Sequence, residues 1–324
     1  MLRQSQLQLF FYRNIAVISI LGVLLLLIVV FGATTEAFLT PNNFLNLLRQ
    51  SAPTLIVAVA MSYVITTGGI DLSVGSMVAL TSALSAALLS ANFPAVLTAL
   101  AMLGLGLLIG LINGWFSSYQ GIPAFIVTLA MLSVIRGGAL LQTQGYSIQI
   151  TNSFFTALGQ GRIGFLPIPA LIAILVALLG WVGLTQLPYG QYVTGIGSNE
   201  EAVRRSGVDT RRIKLSVYLL TGLAAALAGM IVAARLASGS ANAGVGFELE
   251  VITAVVLGGT NLFGGRGTIV GTILGVLTIA VIGNGLILLR LSPFIVPIVQ
   301  GSILLFALWV NTRIFSRFGE ARKR

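Results

Sequence analysis

The sequence GSNEEAVRRSGVDTRRIK occupies residues 197–214 and is followed at once by the apolar run LSVYLLTGLAAALAGMIVAARLA, residues 215–237. The chain holds 18 Lys and Arg and 8 Asp and Glu, and eight of these 26 charged residues lie within 197–214. Such a change from charge to a continuous apolar stretch is typical of a water–bilayer boundary. It predicts an extramembrane loop at 188–214 that precedes a membrane-spanning helix.

The composition of the whole chain extends this interpretation. Of its 324 residues, 56% are hydrophobic and only 8% are charged, whereas soluble domains carry about 25% charged residues. The net charge of +10 does not indicate a nucleic-acid partner, because the basic residues are scattered between long apolar runs. The chain has no Cys and no His, which excludes thiolate and imidazole metal sites and Ser–His or Cys–His catalysis. No metal or other cofactor is predicted.

Apolar segments of about 20 residues, the length that spans a bilayer, recur along the sequence. They predict an all-α, polytopic membrane protein of about ten transmembrane helices, including broken or short ones, in a single domain over residues 1–324. A polar, glycine-containing stretch at 143–166 is interpreted as an extramembrane loop. The ten predicted segments are 14–33, 51–67, 72–90, 94–117, 123–142, 169–187, 215–237, 249–257, 268–289 and 294–312.

The distribution of basic residues predicts the orientation of the chain. Ten spans put both termini on one side of the membrane, and 13 of the 18 Lys and Arg then fall on that side. Since basic residues concentrate in cytoplasmic loops, both termini, the 188–214 loop and a short tail at 313–324 are predicted to be cytoplasmic.

Glycines in the fourth segment predict close packing between helices. Gly104, Gly106, Gly110 and Gly114 are expected near one face of that segment, and small residues let membrane helices approach closely.

The charged loop contains the pattern of a short, capped helix. Ser198 followed by Glu201 fits a capping box, and Glu200 with Arg204 and Glu201 with Arg205 have the i,i+4 spacing of helical ion pairs. Gly207 is expected to end the helix. Two interpretations remain open from the residues: a solvated turn that fixes topology through its positive charge, or a helix that docks on a cytoplasmic partner.

Polar residues interrupt the apolar sequence at 68–76 and at 238–250. Asp71, in the first break, either caps the helix that follows or lies beside a translocation path, since ionisable residues within a membrane are functional candidates. Two breaks flanking short spans suggest two matching bundles, about 51–142 and 215–312. The glycine-rich stretch 258–267 is interpreted as a tight cytoplasmic turn or as a contact with a partner.

Four long strings resemble the permease subunits of bacterial ABC importers of the ribose or monosaccharide type. They are GSNEEAVRRSGVDTRRIKLSVYLLTGLAAALAG (197–229), GGIDLSVGSMVAL (68–80), GIPAFIVTLAMLSVIRG (121–137) and FELEVITAVVLGGTNLFGGRGTIVG (247–271). The resemblance implies a single permease domain in the bacterial plasma membrane that imports a ribose-like monosaccharide by alternating access. It also implies that the short loop helix is the coupling helix that contacts an ATPase, with Ser198, Asn199, Glu200, Glu201, Arg204, Arg205 and Gly207 as the contact residues.

The partners that the resemblance implies are ATP-binding cassette ATPase subunits, a periplasmic or lipid-anchored sugar-binding protein and a second permease, the same or a sister chain. The residues agree with a separate ATPase, because a P-loop needs GxxxxGK[ST] and neither lysine, Lys214 or Lys323, follows such glycines. The chain is therefore not expected to be an enzyme.

Seven residues are candidates for the translocation path or its gate. They are polar or aromatic side chains at the breaks or within spans: Asp71, Ser73, Asn113, Phe125, Arg136, Glu248 and Glu250. If Asp71, Glu248 or Glu250 carried protons or ions instead, the chain would be a proton- or ion-coupled secondary transporter, which is the alternative. A membrane enzyme would need clustered nucleophiles, bases or ligands, which the sequence lacks. The sequence does not distinguish ribose from other monosaccharides, inositol or a nucleoside.

Overall fold

The computed structural model describes residues 2–292, 294–306 and 309. The predicted tail, 313–324, lies outside the described residues. So do residues 310–312, which end the last predicted segment. Two-residue strands form two antiparallel ladders, β1 (Ile148–Gln149) with β4 (Ser238–Gly239) and β2 (Arg162–Ile163) with β3 (Leu166–Pro167). The helices are α1 (Leu2–Thr34), α2 (Pro41–Thr66), α3 (Val74–Ser90), α4 (Ala95–Ser118), α5 (Ala124–Thr143), α6 (Ser153–Gln160), α7 (Ile168–Thr185), α8 (Pro188–Arg205), α9 (Thr210–Leu236), α10 (Phe247–Leu257), α11 (Ile269–Leu288) and α12 (Ile295–Phe306).

Seven of the described helices are long and apolar enough to cross a bilayer: α1 through its part Val17–Thr34, α2, α4, α5, α7, α9 and α11. The predicted third, eighth and tenth segments correspond to the shorter helices α3, α10 and α12. With 17 residues in α3 and 11 in α10, these helices fall below the length of a full span. The prediction of a mostly helical, multi-pass chain is confirmed, while about ten transmembrane helices are not.

α2 begins about ten residues earlier than the sequence predicts. The Thr40 hydroxyl accepts a hydrogen bond from the Asn43 amide at 3.3 Å, and Pro41 occupies the first turn, two features that favour a helix start. The predicted segment starts only at residue 51. In the structure the Asn43 and Asn284 side-chain amides exchange two hydrogen bonds of 2.9 Å, so α11 satisfies this polar side chain.

The predicted extramembrane loop at 143–166 contains the short helix α6 and short strands. Asn152 caps α6 by accepting from the Phe155 amide at 3.0 Å, and the Phe155 ring is only 3% exposed. The β1–β4 ladder joins this region to the break that follows α9. The segment therefore packs on the helices rather than extending from them.

α2 and α9 form the centre of the described chain and run antiparallel. Near one end the Arg235 guanidinium, in α9, donates to the Gln50 carbonyl of α2 at 3.3 Å. Near the other, the Tyr218 hydroxyl of α9 lies against Gly69, just after α2. Peripheral helices instead expose large aliphatic side chains, such as Val29 of α1 and Leu141 of α5, which are 66% and 75% exposed. A bilayer is the solvent in which such surfaces are stable.

Glycines bring α4 and α9 into close contact. Gly106 and Gly110 lie so near the α9 backbone, at Gly222 and Tyr218, that a Cβ would collide with it, and a Cβ on Gly114 would collide with the Leu215 side chain. Their four-residue spacing puts them on one helix face. A Cβ placed on Gly104 would have no atom within 4 Å. Gly104 lies two residues out of step with the other three glycines, so the prediction that it shares their face is wrong.

Candidate functional site

The short helix predicted in the charged loop is present, but its N-cap is Asn199 rather than Ser198. Asn199 has extended backbone angles (φ −162°, ψ 94°) that divide α8 in two, and its side-chain oxygen accepts from the Ala202 amide at 3.0 Å. The Ser198 hydroxyl donates backwards to the Thr194 carbonyl at 3.0 Å. Both residue types cap helices well, so only the backbone decides between them. Residues 200–205 are called the docking helix below.

The acidic residues of the docking helix have two different roles. Glu201 forms the expected i,i+4 ion pair with Arg205 at 2.9 Å and also pairs with Arg204. The expected pair of Glu200 with Arg204 does not form. Glu200 instead accepts from Lys214 at 3.1 Å and from the Thr210 hydroxyl at 3.1 Å, at the start of α9. Glu200 therefore ties the docking helix to the next span, while Arg204 and Arg205 are mostly exposed, at 63% and 78%.

The base of the docking helix packs closely against backbone atoms of Thr66 and Gly265, which are called the seat below. It ends at Gly207, whose φ of +88° favours glycine, as the sequence predicts. Just before it, Gly197 packs so closely on the Thr66 carbonyl and the Gly265 amide that a side chain would collide with both. The Gly265 amide also donates to the Thr66 carbonyl at 2.9 Å. The glycine-rich turn 258–267 and the C-terminal end of α2 thus hold the base of the docking helix.

Three of the predicted path residues meet in one buried cluster: Asp71, Ser73 and Asn113, all with 0% exposure. The Asp71 carboxylate accepts from the Ser73 amide at 2.9 Å and from the Ser73 hydroxyl at 2.6 Å. The Asn113 amide donates to the Ser73 hydroxyl at 2.9 Å and to the carboxylate at 3.4 Å. Asp71 therefore orders the turn before α3 and ties that turn to α4. The N-cap of α3 is Ser73, which makes no side-chain capping bond, so the interpretation of Asp71 as the cap is wrong.

Arg136 and Glu248 belong to a second group, around the break between α9 and α10. The Arg136 guanidinium donates to the carbonyls of Ala241, Ala243 and Gly244 at 2.6, 3.1 and 3.3 Å. Glu248 lies against Gly75 in the first turn of α3. Arg136 thus donates hydrogen bonds to backbone carbonyls in the break. Lipid tails could not supply such hydrogen bonds.

Glu250 lies in a third place, at the wall of a cavity of about 370 Å³. Its carboxylate accepts from the Thr54 hydroxyl at 3.0 Å, and Arg235 lines the same cavity. Sequence reasoning missed Thr54 and placed Arg235 only at an outer helix end. The signal for Arg235 was its charge at the end of an otherwise apolar run. The remaining candidate, Phe125, is 53% exposed at the surface of α5.

Comparisons with known proteins agree with the resemblance seen in the four strings. The family described as "Branched-chain amino acid transport system / permease component" matches residues 43–308. The ribose import permease protein of Escherichia coli is 40% identical over 294 residues, which are 90% of this chain and 92% of that protein. The corresponding protein of Bacillus subtilis is 42% identical, covering 90% and 91% of the two chains. The xylose transport system permease protein of Escherichia coli is 33% identical, covering 92% of each chain. No solved structure matches the chain.

Proposed function

The chain belongs to the permease family that matches residues 43–308, and from that premise we propose that it carries a monosaccharide, ribose first among the candidates. Within this family's ABC importers the permease is the non-catalytic membrane subunit, and ATP hydrolysis takes place on a separate subunit. The identity of 40–42% to two ribose import permeases over nine-tenths of the chain supports the choice of ribose. The similarity to xylose permeases keeps other pentoses within the proposal.

The observation that carries the mechanism is the seated docking helix. Its exposed arginines are available to a cytoplasmic partner, while Glu200 and the Thr66–Gly265 seat link its base to α9 and α2. A rigid element between a partner and two central helices can transmit movement. We propose that Ser198, Asn199, Glu200, Glu201, Arg204, Arg205 and Gly207 form or support the contact with the ATPase.

The proposed assembly has two permeases, which are two copies of this chain or this chain with a sister chain. Two ATPase subunits bind on the cytoplasmic side, and a sugar-binding protein, periplasmic or lipid-anchored, delivers the sugar outside. The chain is a multi-pass protein of the inner membrane. We propose that residues 1–324 form one domain of ten passes, α3, α10 and α12 being the three short ones, with both termini in the cytoplasm.

The proposed path runs between the polar groups described above. The cluster of Asp71, Ser73 and Asn113 has no exposed surface, so it suits a closed gate better than an open binding site. Arg136 and Glu248 support the break before α10, and Glu250 faces the cavity. Phe125 is the one apolar member of the proposed set.

Arg205→Ala tests the coupling role, and Arg212→Ala is its matched control. Both arginines are exposed, at 78% and 79%, and each pairs with a carboxylate of its own helix or cap at 2.9 Å. Because exposed ion pairs contribute only about 0.2–1 kcal/mol, neither change should unfold the chain. We expect Arg205→Ala to lower both ATPase co-purification and D-ribose uptake at least tenfold, and Arg212→Ala to leave both near the native level.

The measurement uses proteoliposomes that contain the full chain, its ATPase and the sugar-binding protein. Native ATPase binding and uptake in the Arg205→Ala protein would contradict the assigned contact. Concentrative sugar uptake by vesicles that contain the chain without the ATPase would contradict the ATP-driven mechanism and favour the ion-coupled alternative.

A further inference from the structure

The cavity beside Glu250 is lined by residues of six of the described helices, at one end of the molecule. The N-terminal half of α2, the C-terminal ends of α9 and α11 and the start of α10 form most of its walls, and Val78 of α3 and Gln300 of α12 complete it. Its volume of about 370 Å³ is within the range of about 300–1,000 Å³ typical of small-molecule sites. Its polar lining residues are Gln50, Ser51, Thr54, Arg235, Glu250, Asn284 and Gln300.

The two charges of the cavity do not neutralise each other by direct contact. Glu250 accepts one hydrogen bond, from the 5%-exposed Thr54, and Arg235 donates to the Gln50 carbonyl. Both line the cavity, yet among the described residues they form no ion pair within 4 Å. Each side chain makes one hydrogen bond among the described residues and so keeps hydrogen-bonding capacity, and buried polar groups of this kind require polar partners.

The chemistry of the lining accommodates a neutral, polyhydroxylated ligand. A cation attracted by Glu250 would be repelled by Arg235, and an anion would meet the opposite arrangement. A hydroxyl group can donate to a carboxylate and accept from a guanidinium, so a sugar with several hydroxyls satisfies both sides at once. Phe247 and Val232 provide the apolar surface that the carbon face of a sugar ring needs.

Arg136 stabilises the wall of the cavity that Ala243 and Gly244 form. Ala243 and Gly244 line it, and the carbonyls of both accept from Arg136. Arg136 does not itself line the cavity, so it acts as a positioning residue that fixes the backbone opposite Glu250.

We propose that this cavity holds the monosaccharide in transit, with Glu250 and Arg235 bonded to its hydroxyl groups. The inference rests on the proposed function, because it supplies a site for the sugar that the importer carries. It adds two residues, Arg235 and Thr54, to the pathway and gives Glu250 a direct ligand contact.

Ser51→Cys provides the test, because the chain has no cysteine of its own. Ser51 lines the cavity and the exchange of serine for cysteine is nearly isosteric. The assembled transporter in lipid nanodiscs is treated with 2-hydroxyethyl methanethiosulfonate, a small neutral thiol reagent, with and without the pentose that the assembly transports, D-ribose or D-xylose. We expect the pentose to slow the modification of Cys at position 51 at least threefold, and sucrose at the same concentration to have no effect.

Two control substitutions accompany the measurement. Ser153→Cys, on the exposed first turn of α6, should react at the same rate with and without sugar. Glu250→Gln should abolish the protection at position 51 and lower pentose uptake at least tenfold, whereas Glu36→Gln, an exposed carboxylate outside the cavity, should change neither.

The outcomes separate this inference from the proposed function. If the assembly takes up the pentose but that sugar does not protect position 51, the site is wrong and the importer remains. A cysteine at 51 that reacts no faster than one at the fully buried Ser85 also contradicts the site, because a reagent smaller than the sugar could not enter. If no monosaccharide is taken up, the proposed function itself fails.

Discussion

Asp71 is the residue whose meaning the structure changes most. It is completely buried, and its carboxylate is surrounded by the Ser73 amide, the Ser73 hydroxyl and the Asn113 amide. These donors fix the first turn of α3 against α4. The residue therefore has a structural task that needs hydrogen-bond acceptors and does not require it to exchange a proton.

Asp71→Asn and Asp71→Ala are expected to differ sharply. The asparagine keeps an oxygen acceptor for the Ser73 amide, so sugar uptake should remain, and it should not respond to a protonophore. The alanine leaves buried donors without partners, each at a cost of about 1–3 kcal/mol, so the thermal unfolding temperature of the purified protein should fall. Complete loss of uptake in a stably folded Asp71→Asn protein would instead support proton coupling.

At the scale of single residues, types and spacings predicted the ion pair of Glu201 with Arg205 and the helix end at Gly207. They did not predict that Asn199 caps the docking helix or that Glu200 pairs with Lys214. The reason is physical: Ser198 and Asn199 are equally good caps, and Glu200 and Lys214 lie on two helices separated by the turn at 206–209, so no helical spacing connects them. Such choices depend on how two helices meet.

At the scale of elements, the contact between α4 and α9 depends on the absence of side chains. Gly106 faces the Gly222 carbonyl, and a Cβ on Gly106 would lie 2.7 Å from the Ala226 methyl group. Two turns of such contacts let the helix backbones approach, which is the usual source of helix association in lipid. α4 and α9 therefore form one rigid unit beside the docking helix.

Gly106→Ala and Gly104→Ala form a matched pair that tests this contact. Both glycines lie in α4, two residues apart, but only Gly106 faces α9. We expect Gly106→Ala to destabilise the protein by about 1–3 kcal/mol through overpacking, and Gly104→Ala to have little effect. Equal unfolding midpoints for both variants in the same detergent would contradict the assigned register.

Long apolar elements were the most predictable part of the fold, since length and composition alone identify them. Their ends were less predictable. α2 extends back to Pro41 because Asn284, 241 residues away, bonds to Asn43, and α6 forms inside a stretch that has too few apolar residues to suggest a helix. The short helices α3 and α10 were recognised from the polar breaks that precede them.

At the scale of the whole molecule, the basic residues should determine which side each loop occupies. Ser206→Cys and Tyr146→Cys place single cysteines at two exposed positions on opposite sides of the proposed topology. In intact cells, a membrane-impermeant maleimide should label the cysteine at 146 and leave the one at 206 unmodified until the membrane is permeabilised. The reverse labelling pattern would invert the proposed orientation.

The cavity shows what a single sequence does not predict. Thr54 and Glu250, which share a hydrogen bond, are 196 residues apart, and neither periodicity nor a motif connects them. Glu250 was identified because a carboxylate near a membrane break is unusual. Arg235 carried only the weaker signal of a charge at the end of an apolar run, and Thr54 carried none, since an arginine at a helix end and a threonine in a span both have ordinary structural explanations.

α2 connects the seat of the docking helix at one end with the cavity at the other, so it can carry movement between them. Its last residue, Thr66, carries the seat of the docking helix, while Leu47 to Thr54 line the cavity. Its 26 residues at about 1.5 Å each make a rod of roughly 39 Å. Pro53 lies within it and has no amide hydrogen to stiffen that turn, so a push applied in the cytoplasm is expected to become a bend next to Thr54. The bend would move the α2 residues that line the cavity and weaken their contacts with the sugar. No chain of side-chain contacts between the two ends of α2 is needed for this.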